Sequence, residues 1–257
     1  MPTRLSMTIC VGCAVPPVVI IALLYAPALT GSFSARPLPN CTSEVGMPVD
    51  QYPMRSPQDV QSVIAAIVRG HSVVEIGTRN GDGMECFARF ASAAVAIEFN
   101  EKYCELLRKR SLSSRSAGGG RGFGVRCGRY QDVVVDGDYY TWWSERPHLQ
   151  NVPALVHLRR AQLARKIRSS AEALVLLSDG ELERYRRSAV VQLATSIRAA
   201  PFQEVAHQHA KVHGREAFPD AGVWHVLIIP LSAVHADRAS EWKDDMQFGP
   251  ITPSHRS

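Results

Sequence analysis

Residues 71–100, HSVVEIGTRNGDGMECFARFASAAVAIEFN, constrain the fold of this 257-residue chain more than any other stretch. Ser72 to Ile76 is a short β-branched run, broken by Gly77, Gly81 and Gly83. Met84 to Ser92 has helical spacing, with Met84, Phe87, Ala88 and Ala91 on one side. Ala93 to Phe99 is a second apolar strand carrying Glu98 at its end. Two apolar strands joined through a helix form a right-handed βαβ unit. Ligands of such sheets sit at the carboxyl ends of the strands, where both Glu75 and Glu98 fall.

The glycine spacing argues against a dinucleotide pyrophosphate. Counted from Gly77, a G-x-G-x-x-G fingerprint needs glycine where Arg79 and Asp82 stand; counted from Gly81, its last glycine would be Cys86. The stretch VVEIGTRNGDG, residues 73–83, instead resembles the first motif of class I S-adenosylmethionine-dependent methyltransferases. The resemblance implies a Rossmann-like α/β sheet with helices on both faces. It also implies a cofactor site built from Glu75, Gly77, Thr78, Arg79, Gly81 and Gly83. A turn of small residues lets a ligand approach the backbone, and amides at a helix start can meet its carboxylate. Glu98 would accept hydrogen bonds from the ribose hydroxyls, and Phe99 would lie beside the adenine.

A folded domain is expected over residues 56–235. Ser56, Pro57 and Asp59 open a helix whose apolar residues Val60, Val63, Ile64, Ile67 and Val68 share one face, and Gly70 ends it. Asn100 caps a helix through Arg110, and residues 111–124 read as a flexible loop. Strands are expected at Phe123–Cys127 and Asp132–Asp138, joined by a link too short for the usual helix. A helix over residues 153–170 and a strand at Ala173–Leu177 follow. Next come a helix over Glu181–Ala200 and a closing antiparallel pair, Glu204–Val212 and Val223–Leu231. Residues 236–257 form a polar tail.

The stretch from Asp136 to Trp143, DGDYYTWW, resembles the Asp-Gly-Asp-His-Xaa-Tyr segment at the active-site edge of some small-molecule methyltransferases, with Tyr139 in the place of His. On that resemblance Asp136 faces the cofactor or substrate. Asp136, Asp138 and Tyr139 are the catalytic candidates, with His148 a further possible base. The aromatic run either walls a substrate pocket or packs in the core. The Asn/Asp-Pro-Pro-aromatic tetrad of DNA and RNA adenine methyltransferases is absent. The net charge of +5 is mild for a nucleic-acid binder, so a small-molecule acceptor is expected.

No metal is expected. Among the six cysteines, Cys10 and Cys13 have C-x-x-C spacing, but in an apolar segment. His207, His209 and His213 lack a matching Cys or acid for zinc. Asp136, Asp138 and Asp179 could hold Mg²⁺ only if they gather at adjacent strand ends.

Residues 8–29 carry no charge and can just span a hydrocarbon core. Arg4 before them predicts a single-pass signal anchor in the endomembrane system with the rest lumenal; a cleaved signal peptide and a secreted chain are the alternative. Residues 30–55 read as a flexible stem carrying the sequon Asn40-Cys41-Thr42. The functional expectation is a methyltransferase using S-adenosylmethionine. A membrane-anchored, non-catalytic binding protein on the same scaffold is the alternative.

Overall fold

The computed structural model describes residues 39–41, 58–116, 122–142, 147–201 and 223–238. The expected span at 8–29, most of the stem, and the strand expected at 204–212 lie outside them, as do Trp143 and the three clustered histidines. Among the described residues no helix is long and apolar enough to cross a membrane.

Among the described residues, seven strands form one sheet in the order β3-β2-β1-β4-β5-β7-β6. They are β1 (Ser72–Ile76), β2 (Ala93–Glu98), β3 (Gly124–Cys127) and β4 (Tyr139–Trp142). β5 (Glu172–Ser178), β6 (Ser196–Pro201) and β7 (Val223–Pro230) complete it. β1 to β5 run parallel, and β7 runs antiparallel to both β5 and β6.

Helices cover both faces, because alternate strand residues point to opposite sides and both sets are apolar. On one face Val73, Ala94, Ala96, Leu174 and Val226 meet α1 (Gln58–Ile67), α2 (Asp82–Phe90) and α3 (Glu101–Ser116). Val60, Ile64, Met84, Phe87 and Leu107 fill that layer. On the other face Val74, Ile97, Tyr140, Val175 and Leu227 meet α4 (Pro147–Leu163) through Leu155 and Leu158.

Several elements differ from the sequence expectation. Asp132–Asp138 is not a strand: the whole of 128–138 is an irregular connection and β4 begins at Tyr139. The buried Tyr140 hydroxyl donates to the Val135 carbonyl at 2.7 Å and accepts the Gly137 N–H at 3.0 Å. Those bonds hold the valine run as an ordered loop. A Cβ on Gly137 would stand 2.8 Å from Val74, so the loop can pass there only as glycine. Residues 111–116 continue α3, and Ser111 bonds the Phe123 carbonyl, so the expected surface loop starts later.

The helix expected over 181–200 is instead α5 (Asp179–Arg184), α6 (Ala189–Gln192) and β6. Ser178 and Glu181 form a capping box that starts α5. The apolar residues after it suit either period, and pairing with the distant β7 decides for a strand.

Two disulfides, not foreseen in the sequence, join Cys41 to Cys86 and Cys104 to Cys127. Cys41 is fully buried and its amide donates to Ser62 Oγ at 3.0 Å. That point of the expected stem is therefore part of the fold. Four of the six cysteines are committed this way.

Candidate active site

The turn after β1 is held from three sides. Gly81, at φ 83, precedes α2 and lies against Leu107. Arg110 of α3 donates to the Asn80 carbonyl at 2.8 Å and pairs with Asp82 and Glu85, both at 2.6 Å. Arg79 adopts φ 53, a left-handed conformation that costs a non-glycine residue about 1 kcal/mol or more. Its N–H donates to Glu98 Oε2 at 2.9 Å, and its Nε donates to the Tyr103 hydroxyl at 3.0 Å. Asn100 N–H donates to the other Glu98 oxygen at 2.8 Å. The Glu98 side chain is thus buried and aimed by two backbone amides that flank the carboxyl edge of the sheet.

A cavity of about 440 Å³ lies over that edge. Its floor is Ile76 and Gly77 at the end of β1 and Ile97 in β2, with Phe99 just beyond. The connection after β3 supplies one wall through Gly128, Arg129, Tyr130 and Gln131. Trp142 closes the end of β4, and Pro153 and Ala154 of α4 form the roof. Tyr130 packs edge-on to His157 with ring centres 5.3 Å apart. Burial raises the Tyr130 phenol above its ordinary value and lowers the His157 imidazole, so both are neutral at pH 7.

Of the cofactor-binding residues expected from sequence, Gly77 and Phe99 line the cavity. Glu98 stands between two lining residues. Thr78 donates to Glu75, and a Cβ on Gly83 would lie 3.0 Å from Glu75 Oε1. Glu75 therefore faces α2, not the cavity. Together with Thr78, Gly81 and Gly83, it builds the turn from behind.

Asp136, Asp138 and Tyr139 require correction. They lie at the amino edge of the sheet, opposite the cavity. Asp138 Oδ2 accepts the N–H of Ser72, the first residue of β1, at 2.8 Å. Arg168, which precedes β5, pairs with Asp136 at 2.8 Å and also with Asp138. Arg168 holds Asp136 below the usual carboxylate range. Burial pushes Asp138 up, but bonds from Ser72 and Arg168 outweigh it and leave the net shift downward. These residues clamp strand starts. Asp179 follows β5 at the carboxyl edge, so it cannot share a metal ion with them. Among the described residues no group of three metal-ligating side chains converges.

Sequence reasoning missed the wall after β3 and an imidazole–carboxylate pair. His225 of β7 places Nε2 3.0 Å from Asp179 Oδ1, on the cavity's edge of the sheet and beyond β4 and β5. No motif announces that pair, since only the antiparallel return of β7 brings the two residues together.

The strand order, the antiparallel β7 and the cavity at the carboxyl edge are those of a Rossmann-like α/β sheet, the architecture that the resemblance of residues 73–83 implies. No family model and no curated protein matches the chain. Solved structures with this fold are similar to it. A Pyrococcus horikoshii protein described as an RNA methyltransferase matches at TM-score 0.48 and 11% identity, over 72% of this chain and 90% of its own. A dimethyladenosine transferase from Plasmodium falciparum matches at TM-score 0.46 and 14% identity, over 74% and 68%. An amino pentose methyltransferase from Micromonospora echinaspora, with S-adenosylmethionine bound, matches at TM-score 0.36 and 15% identity, over 47% and 50%.

The residues present fit S-adenosylmethionine. Each Glu98 oxygen takes one backbone amide, so the carboxylate keeps acceptor capacity for a diol. Ile76, Ile97 and Phe99 offer apolar surface to a flat ring. The cavity falls within the roughly 300–1,000 Å³ usual for small-molecule sites.

Proposed function

We propose that this chain is an S-adenosylmethionine-dependent methyltransferase acting on a small molecule. The observation that carries the reading is the cavity over β1, β2 and β4 with the amide-held Glu98 at its edge. In this reading Glu98 holds the ribose, Phe99 and Tyr130 flank the adenine, and Gly77 lets the methionine end approach the backbone. The cofactor supplies a methyl group on a sulfonium. The protein's part is to set the acceptor in line with that methyl and to exclude water, so positioning does most of the work. A hydroxyl or ammonium acceptor must also lose a proton. His225, oriented by Asp179 on the same edge of the sheet but outside the cavity lining, is the group we assign to receive it. Titration with S-adenosylhomocysteine tests the binding reading, and transfer of labelled methyl to a metabolite extract tests turnover. Absence of binding would remove the proposal.

A non-catalytic binding protein is the second reading. Its support is that, among the described residues lining the cavity, none is a carboxylate or an imidazole. Binding without turnover across a broad acceptor panel would select it.

The working compartment in this reading is oxidising. The chain is held in the endomembrane system by residues 8–29, with the domain lumenal. The two disulfides support this, since such bonds are rare where thiols are kept reduced. Digestion of the domain by protease outside sealed microsomes, without detergent, would overturn that placement. Loss of residues 1–29 from the mature protein would select secretion instead.

A further inference from the structure

The two disulfides differ in what surrounds them. Cys41 and Cys86 are both at 0% exposure within an apolar cluster. Cys104 is buried at 1%, but its partner Cys127 is exposed. A dissolved thiol therefore meets the second bond first.

That bond sits beside the cavity. β3 is a four-residue edge strand whose residues are half-buried or exposed, and among the described residues it pairs with β2 alone. Its last residue, Cys127, lies in register with Glu98. The four residues after it form the wall of the cavity. At its start, this wall is held by the Gly128 N–H to the Glu98 carbonyl, 2.9 Å, and by the sulfur bridge to the first turns of α3. The first of these ties is a single backbone bond, worth about 1 kcal/mol.

We propose that the Cys104–Cys127 disulfide is a redox-operated clamp on the cofactor cavity, closed when oxidised and released by a dithiol reductant. The proposal rests on the cofactor reading above. A thiolate of the dithiol attacks the sulfur of Cys127, the exposed residue of the pair, and the S–S bond breaks with Cys104 leaving as a thiolate that takes a proton. The reductant's second thiol then attacks its own sulfur in the mixed disulfide and releases Cys127 as a thiol. The dithiol is oxidised to a disulfide by two electrons, and the protein gains two electrons and two protons. The end of β3 and residues 128–131 then keep only their backbone bonds and the packing of Tyr130 on His157, with no covalent tie to α3, and cofactor affinity falls.

The test is calorimetric titration of S-adenosylhomocysteine into the full chain, oxidised and after mild dithiothreitol treatment. Peptide mapping verifies that Cys104–Cys127 is open and Cys41–Cys86 intact. The expected result is at least a tenfold loss of affinity on reduction, recovered on reoxidation, with the near-ultraviolet circular dichroism of a folded chain throughout. The Cys104→Ser/Cys127→Ser double variant should bind as weakly as the reduced chain and ignore the reductant. Unchanged affinity with the bond open overturns the clamp, as does unfolding on its reduction, which would make the bridge a staple. Failure of the oxidised chain to bind at all would instead count against the cofactor reading beneath it.

Discussion

Asp138 accepts both the backbone N–H and the hydroxyl of Ser72, at 2.8 and 2.7 Å, tying the approach to β4 to the first residue of β1. This is a fastening of strand starts, remote from the cavity. Asp138→Ala should destabilise the protein by about 1–3 kcal/mol, the usual cost of orphaning bonded partners. Its affinity for S-adenosylhomocysteine should stay within twofold. Urea unfolding and calorimetry measure the two, and a large affinity loss in a folded variant would return Asp138 to the site.

Acid should act through the same cluster. Asp136 and Asp138 titrate below their ordinary value of 3.8 in the folded chain. Their contribution is thus complete above that value and lost as pH falls through the lowered folded values. Solvent reaches Arg168 and Asp136, so the contribution is only about 1 kcal/mol. Arg168→Ala should raise the pH midpoint of acid unfolding followed by circular dichroism. An unmoved midpoint would mean that the carboxylates do not stabilise the fold through this arginine.

Glu98→Gln preserves the shape of the side chain while removing its charge. Affinity for S-adenosylhomocysteine should drop about 10- to 100-fold, as expected for hydrogen bonds to a charged group. Equal titration curves for the variant and the parent would end the ribose assignment.

Tyr140→Phe deletes the hydroxyl that grips Val135 and Gly137 and leaves the ring in place. The cost should be about 1–3 kcal/mol, because a part-buried carbonyl and a buried N–H lose their partner. Thermal melts measure it; a variant as stable as the parent would show that the loop is held by packing alone.

Once an acceptor is in hand, His225→Gln should lower kcat by about 10²-fold or more, the usual worth of a general base. Cofactor binding should persist. A kcat that survives the change would leave His225 a structural partner of Asp179.

The β1–α2–β2 unit was legible because its signals are local: a β-branched run, a glycine turn and an amphipathic helix within thirty residues. The Asp136 region was misread for a physical reason. DVVVDGD carries a β-branched run like a strand, yet Tyr140 captures its backbone polar groups and the true strand starts downstream. That displacement moved two acids from one edge of the sheet to the other. β6 was lost because only β7, distant in the chain, chooses between its two periods. Cysteine pairing was out of reach, since spacing does not give connectivity. Glu98 and Phe99 stood out because strand ends carry ligands in parallel sheets.

The Cys41–Cys86 bridge has one more consequence. It closes a covalent ring over residues 41–86, which contains α1 and β1. A protease that cuts between 42 and 57 would produce two polypeptides and yet release nothing. The amino-terminal piece, with whatever precedes Cys41, would travel with the rest of the domain on a non-reducing gel and part from it only under reducing conditions that open this bridge.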